Sequence, residues 1–509
     1  MTCFSPVLWY NESGDFVGNL PKKQGAKMNH NTYQPFLDYG FTPNPAVIFP
    51  TVVENYDWGV FIKTISKEYY QAVSDFWKKE NKTIRYVPTS QYEQELFQDT
   101  VYSKPKKNNR EKNPRGAGRC PMDFLSLFKS FTCARYMDID VNSRTVCSLL
   151  NSNPAFLERM NFVNNWPPAY RTIDRFDQIM TEYDLWEKAA YTSIKVNIDD
   201  KVIDPEEECV IIVDTTHIPA RAKKGKAIKP CRECPFYKTC TDKVMTDDNA
   251  GILTKSKNER YFAHKVGLLT PAKASLPTNF FVNRGETFDG HFLEPLVDCF
   301  TDQFPEFENI DFLVADGTFG SKEREKFVKE KLDAQLVTPI NPRRSKEVKH
   351  PARGIEKIDN YGQPICIAGF SMFLLTKVHA TKEYLWCCPK LHPESPDYEQ
   401  NFICEMKQHC SKGNYGRAYR TMADKFPQIN WNFPQFSKEA KGFLALRTTI
   451  EREISWLKRD LKMESLWKRG KKNVIAQVAK CLISMHLVAN VAHKVGCPEY
   501  ANRIKTFAN

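Results

Sequence analysis

The chain contains 509 residues, enough for two to four domains that each bury a core of their own. Hydrophobic residues are 41% and charged residues 26% of the total, as in ordinary globular proteins, and no apolar run reaches the roughly 18 residues of a membrane-spanning helix. This composition argues against a membrane protein, and the net charge of +12, with 73 Lys and Arg residues, favours a polyanionic partner such as nucleic acid.

The N-terminal sequence MTCFSPVLWYNESGD has neither the basic start nor the apolar core of a signal peptide. We therefore expect a reducing, cytoplasmic setting, in which the 16 cysteines do not form a disulfide framework. Cys231, Cys234 and Cys240 form a C-x2-C-x5-C pattern, which indicates either a structural Zn2+ site that lacks an obvious fourth ligand or small buried residues. A second group, open to the same two interpretations, consists of Cys387, Cys388, Cys404 and Cys410.

Residues 1–115 form an N-terminal region that ends in a basic linker, and its sequence indicates no function. The linker, KPKKNNREKNPRGAGR, has seven basic residues against one acidic residue, and its Pro, Gly and Asn residues oppose regular structure. Apolar residues at helical spacing then predict a helical domain over 116–205, which we expect to bind DNA. Its cations Arg171, Arg175 and Lys188 either face DNA or keep the surface soluble.

Short apolar runs predict a mixed α/β sheet over residues 206–344. The predicted strands cover residues 208–214, 260–270, 279–283, 310–316 and 334–341. Two helices, DGHFLEPLVDCFTDQF and SKEREKFVKEKL, lie among them. Residues 345–440 are predicted to form a β-rich, Cys-containing insertion, and residues 441–497 return to helix.

Two of the predicted strands end in an acidic residue, although strand interiors usually exclude charge. Asp214 ends VIIVD and Asp316 ends FLVAD, and the ends of the first and fourth strands can lie side by side. Either aspartate by itself is typical of a turn or a helix cap. Two carboxylates that meet repel each other unless cations neutralise them, so the pair indicates a metal site. Nearby, His264 is expected to be a hydrogen-bonded strand histidine and Asp289 to cap the helix that follows it.

The helix RTTIEREISWLKRDL supplies a third acid. Arg447, Glu451 and Lys458 share one face at about 100° per residue, whereas Glu453 points about 200° away from Glu451. Such a helix by itself is typical of a solvated surface. With the two aspartates, it offers the hard oxygen ligands for two divalent ions about 3.5 to 4 Å apart, which can activate a water or a 3'-hydroxyl for in-line phosphodiester attack. Arg447 and Lys458 would then bind phosphate.

These motifs resemble those of the DDE transposases of bacterial insertion sequences, in the group with a C-terminal Tyr-x2-Arg-x3-Glu-x6-Lys motif. Arg447, Glu451 and Lys458 match this spacing, and Leu444 takes the tyrosine position. VIIVDTTHIP and FLVADGTFG resemble the segments that carry the first and second acids. Weaker similarities, such as GAGRCPMDFLSLFK and CSKGNYGR, extend the likeness over residues 116–495.

The resemblance implies a ribonuclease H-like core: a mixed sheet with flanking helices, interrupted by the insertion before the last catalytic helix and preceded by the helical domain. It implies that Asp214, Asp316 and Glu451 bind two Mg2+ ions, with Mn2+ as a substitute, and that Arg447 and Lys458 contact DNA phosphate. The implied partner is double-stranded DNA, both at the element ends and at the target. The resemblance also implies that the chain forms a homodimer on DNA and that it acts in the cytoplasm, at the nucleoid. The implied reaction is strand cleavage followed by strand transfer.

Two other functions fit the same residues. One is a related metal nuclease that does not join strands. The other is a catalytically inert, zinc-stabilised DNA-binding protein derived from a transposase, and this interpretation requires lost acids, whereas all three are present.

Overall fold

A computed structural model of the chain describes residues 45–79, 123–162, 165–222, 247, 249–255, 259–339, 347–422 and 438–501. The chain divides into two compact units. Within the described ranges, the first unit comprises the chain up to Asp311 and again from Thr449 onward, and the second unit comprises Phe312–Thr448.

The first unit begins with a helical region. Its elements are α1 (Pro45–Asn55), α2 (Gly59–Phe61), a π-helix (Ile62–Ser66), α3 (Lys67–Lys79), α4 (Phe124–Cys133), a 3-10 turn (Ala134–Met137), α5 (Ser143–Ser152), α6 (Pro154–Met160), α7 (Tyr170–Glu182) and α8 (Leu185–Asp199). Asp123 is the N-cap of α4, and its carboxylate accepts the Ser126 N–H. Buried rings such as those of Phe128 and Trp186, stacked at 5.4 Å, fill the space between the helices.

An antiparallel sheet follows, built on one long central strand. Its strands are β1 (Val210–Pro219), β2 (Gly251–Thr254), β3 (Arg260–Pro271) and β4 (Asn279–Arg284). β1, β2 and β4 each pair with β3. Since β1 and β4 both pair with residues 264–269, they lie on opposite sides of β3. A 3-10 turn (Asp289–Phe292) and α9 (Leu293–Gln303) cover one face, where Gly267 of β3 allows close approach, because a Cβ there would lie 2.7 Å from the Phe292 ring.

The second unit contains both parallel and antiparallel strands. It opens with a parallel β-α-β segment that consists of β5 (Phe312–Ala315), α10 (Lys322–Leu332) and β6 (Gln335–Val337). One antiparallel sheet consists of β7 (Val348–Ala352), β8 (Ile355–Ile358) and β9 (Pro364–Cys366), and another of β10 (Phe373–Val378), β11 (Glu383–Cys387) and β12 (Tyr419–Met422). The remaining helices are α11 (Lys407–Cys410) and α12 (Lys438–Ala445). The fold is thus mixed α/β, as the sequence predicts.

Two longer helices complete the chain, α13 (Arg447–Arg459) and α14 (Lys471–Lys494), followed by a 3-10 turn (Pro498–Tyr500). The boundary between the two units falls within α13. In the first unit, α14 lies between the helical region and the sheet: His486 has one ring nitrogen 2.7 Å from the Ser193 hydroxyl of α8 and the other 2.8 Å from the Pro277 carbonyl, just before β4.

α14 corrects the expectation that no segment is apolar enough to cross a membrane. In the described ranges it is the one helix that is long and apolar enough by composition, with a mean hydropathy of 1.6 over an 18-residue window. That window is 94% buried inside the protein. Two of its polar side chains have partners there: Gln477 accepts from Arg135 at 3.0 Å, and the Asn490 amide nitrogen donates to Asp200 at 2.7 Å. α14 is therefore packed as a core helix.

Candidate active site

Asp214 lies within β1 rather than at its end. The strand continues for five residues beyond Asp214, and Asp214 stands opposite Leu268 of β3. The prediction that this strand ends at Asp214 is wrong, for two reasons. The half-buried carboxylate is satisfied locally, because its Oδ1 accepts the Thr215 N–H at 2.7 Å. In addition, Thr216 and Ile218 continue the buried alternation of the strand.

Asp214 points to the face of the sheet on which α13 lies. Thr270 of β3 stands opposite Ile212 of β1, and residues paired in this way point to the same face. The Thr270 hydroxyl donates to the Glu453 carboxyl of α13 at 2.8 Å, which identifies the face that α13 covers. Asp214 is two residues beyond Ile212 and so shares that face.

Two glutamates of α13 have opposite environments. Glu453 is fully buried, and burial raises its pKa to about 8, so its carboxyl group is held protonated at neutral pH. Glu451, two residues earlier, is exposed. Of the two side chains, Glu451 is the one that a ligand approaching from solvent can reach.

The cation at the other end of α13 is engaged within the protein. The Lys458 ammonium lies 2.8 Å from the Glu464 carboxylate, and its side chain is 21% exposed. Burial, followed by the charge of Lys458, lowers the pKa of His217 of β1 to about 4. The C-terminal half of α13 therefore lies near the C-terminal half of β1, beyond Asp214.

Asp316 directly follows β5 in the second unit, and its surroundings require small residues. A Cβ on Gly317 would lie 2.9 Å from the Pro339 carbonyl oxygen, and one on Gly320 would lie 2.7 Å from the Thr338 hydroxyl. The Asp316 carboxylate is 41% exposed, and its Oδ1 lies 3.5 Å from the Arg447 guanidinium. Arg447 is the first residue of α13, one helical turn before Glu451.

On the opposite face of the sheet, Thr215 forms a hydrogen bond with Asp289 that the sequence does not predict. Asp289 does not cap the helix that follows it; its Oδ1 accepts the Thr215 hydroxyl at 2.9 Å and lies 2.8 Å from the Lys265 ammonium. These groups come from three separate elements, and no spacing in the sequence signals their meeting. The strand histidine is confirmed: His264 is buried, with Nε2 3.3 Å from the Asp247 carboxylate.

The residues expected to bind Mg2+ are spread over both units, Asp214 and Glu451 in the first and Asp316 in the second. Their carboxylate oxygens are the ligand type that Mg2+ prefers. In the part of the chain that the structure describes, no group of three or more His, Cys, Asp or Glu side chains is arranged to hold a metal ion. The assignment of the three acids therefore stays a prediction. Three further expected ligands, Cys231, Cys234 and Cys240, lie outside the described residues.

Comparison with protein families gives a match over more than half of the chain. A family model described as "Transposase DDE domain" matches residues 205–487, more than half of the chain. No curated protein matches the chain. One similar solved structure is a cryo-EM structure of a piggyBac transposase synaptic complex with hairpin DNA, which is 10% identical over 92% of this chain and 79% of that chain, with a TM-score of 0.34. A TM-score this low does not establish a shared fold.

Proposed function

Since the chain belongs to the family of transposase DDE domains, we propose that it is a DNA transposase, of the kind found in bacterial insertion sequences. It cuts double-stranded DNA at the ends of a mobile element and joins the freed 3'-hydroxyl to target DNA. Its catalytic core is ribonuclease H-like, it acts as a homodimer on DNA, and it works in the cytoplasm at the nucleoid. The net charge of +12 suits a polyanionic partner.

The single observation that carries the site assignment is the arrangement of α13. The helix covers the face of β1 from which Asp214 projects, and it exposes Glu451 while it buries Glu453. Its first residue, Arg447, is ion-paired with Asp316. The match to the family of transposase DDE domains spans all three acids, which supports a shared role.

Asp214, Asp316 and Glu451 would hold two Mg2+ ions, or Mn2+ as a substitute. When bound, the ions supply Lewis-acid activation of a water or 3'-hydroxyl and stabilise the leaving oxygen. Arg447 and Lys458 would position the DNA phosphates, and each now neutralises a carboxylate. DNA binding therefore requires each cation to exchange its carboxylate partner for a phosphate oxygen.

The experiment is Mg2+-dependent cleavage of DNA that carries the genomic flanks of this reading frame. Asp214→Asn, Asp316→Asn and Glu451→Gln are each expected to lower the cleavage rate by about 1000-fold, or roughly 4 kcal/mol of transition-state stabilisation. DNA binding by these variants, measured by gel shift, should remain. Strand-transfer products distinguish a transposase from a simple nuclease.

Matched controls come from acids near the same elements. Asp311→Asn changes an exposed aspartate just before β5, and Glu453→Gln changes the buried glutamate of α13, so both variants should cleave at close to the wild-type rate. Wild-type activity in Asp316→Asn, or equal losses in the control variants and the site variants, would contradict the assignment.

A further inference from the structure

Four cysteines that are far apart in the sequence line one small cavity in the second unit. They are Cys366 at the end of β9, Cys388 just after β11, Cys404, and Cys410 at the end of α11. The cavity has a volume of about 20 Å³, room for a single ion or water molecule. All four are free thiols. Cys387 belongs to the same sequence cluster but does not line the cavity.

The backbone around Cys366 is shaped to present N–H groups to its sulfur. Cys366 begins a tight turn in which the Gly369 N–H donates to the Cys366 carbonyl at 2.8 Å, and Gly369 has a φ of +81°. The N–H groups of Ala368 and Phe370 are hydrogen-bonded to the Cys366 sulfur. Hydrogen bonds of this kind hold and orient a sulfur that binds a metal ion.

Two glycines bring the chain directly against two of the other sulfurs. Gly416 has a φ of +77°, and a Cβ there would lie 2.5 Å from the Cβ and 3.0 Å from the Sγ of Cys388. Gly354 has a φ of +82°, and a Cβ there would lie 3.3 Å from the Cys410 Sγ. Both positions combine a left-handed backbone with contact to a thiol, so the loops are packed around the cysteines.

A cation with an unused donor faces the same cavity. Arg417 lines it, and in the described ranges its Nε is buried and has no hydrogen-bond partner. An uncharged set of thiols leaves this guanidinium unbalanced, whereas a negatively charged metal–thiolate cluster would neutralise it.

We propose that Cys366, Cys388, Cys404 and Cys410 bind one structural Zn2+ ion. Zn2+ prefers soft thiolate ligands, and a structural site takes four of them in a closed, tetrahedral arrangement. In this structure the side chains are not arranged around an ion, so the site forms when the four thiols lose their protons and turn towards the metal. The ion would join β9, the end of β11 and the segment from Cys404 to Cys410, and it is independent of the DNA chemistry.

Zinc content of the full-length protein tests this site. After expression in zinc-supplemented medium and exhaustive dialysis, Cys388→Ser combined with Cys404→Ser should contain about one zinc equivalent per chain less than the wild type. The matched control is Cys387→Ser, which changes the adjacent thiol outside the cavity and should keep the wild-type content. Wild-type zinc content in the double variant would overturn the proposal.

A second measurement needs no variant and therefore does not depend on how the variant folds. Alkylation of the wild-type protein, resolved peptide by peptide by mass spectrometry, should leave all four thiols protected until a chelator is added. Because the alkylation is followed for each peptide, it also distinguishes this site from Cys231, Cys234 and Cys240. The proposal is overturned if the four thiols react at the same rate with and without chelator, or if they are recovered as disulfides.

Discussion

At the scale of single residues, the two glutamates of α13 show how far sequence reasoning reaches. Helical geometry places Glu451 and Glu453 about 200° apart, so it predicts that they face different surroundings. It does not predict that Glu453 bonds Thr270, because that contact joins residues 183 positions apart on separate elements. Local spacing predicts the direction of each glutamate side chain, whereas its bonding partner can be identified only from the tertiary fold.

Glu453 should make stability depend on pH. Its pKa is raised to about 8 in the folded protein, above the ordinary value of 4.5. Between these values the folded state keeps a proton that the unfolded state has released, so the free energy of unfolding falls as pH rises from about 4.5 to about 8. Glu453→Gln removes this loss and should raise the free energy of unfolding at pH 8 by on the order of 4 kcal/mol.

Urea denaturation of the wild type and of Glu453→Gln between pH 5 and pH 8 checks this predicted loss of stability. The two curves should converge near pH 5. The difference between wild type and variant reports Glu453 together with its interaction with Glu208, whose pKa burial raises to about 7. Glu451→Gln serves as the exposed control on the same helix. A constant difference between the wild type and Glu453→Gln across this pH range would refute the buried, protonated state.

At the scale of elements, β1 and α14 differ most from expectation. An acidic residue suggested the end of a strand, but the β-branched and apolar residues after Asp214 continue the pairing with β3. α14 was expected as helix, yet its central place in the core could not be inferred. Its polar residues interrupt an otherwise apolar sequence, and partners such as Arg135 and Asp200 come from distant parts of the chain.

Lys480 of α14 is expected to be essential for stability. It is ion-paired with buried Asp177 of α7, and its ammonium lies 4.7 Å from the Trp186 ring. Burial raises the pKa of Asp177, but Lys480 and then Lys468 outweigh it and hold that pKa below its ordinary value. Lys480→Met leaves the Asp177 carboxylate with a weaker set of partners, and should lower the free energy of unfolding by about 3 to 5 kcal/mol.

Chemical denaturation at neutral pH measures this loss. Lys472→Met is the matched control on the same helix, since Lys472 pairs with Asp184 at the surface, at 3.0 Å, and such a pair contributes about 1 kcal/mol or less. If Lys480→Met and Lys472→Met lower the free energy of unfolding by the same amount, the buried pair of Lys480 and Asp177 has no special role in stability.

At the scale of the whole molecule, the sequence was sufficient for the class of fold and for most elements. The apolar runs at 260–270 and 310–316 appear as β3 and β5, because a short continuous apolar run between turn residues indicates a buried strand. The grouping of elements was harder to predict. The helices of 116–205 were expected as a domain of their own, yet in the structure they share a compact unit with β1 to β4, linked through α14. Sequence spacing does not group Cys366 with the other three cavity cysteines, because 21 residues separate it from Cys388.

The central claim is that Asp214, Asp316 and Glu451 share the same metal ions. Iron-mediated backbone cleavage tests it most directly, since Fe2+ bound in place of Mg2+ reduces added hydrogen peroxide to hydroxide and a hydroxyl radical, which cuts the nearest peptide bonds. With the full-length protein on its element-end DNA, we expect cuts near residues 214, 316 and 451, all suppressed together by excess Mg2+. Cuts near only one of these residues, or cuts that Mg2+ does not suppress, would contradict the claim.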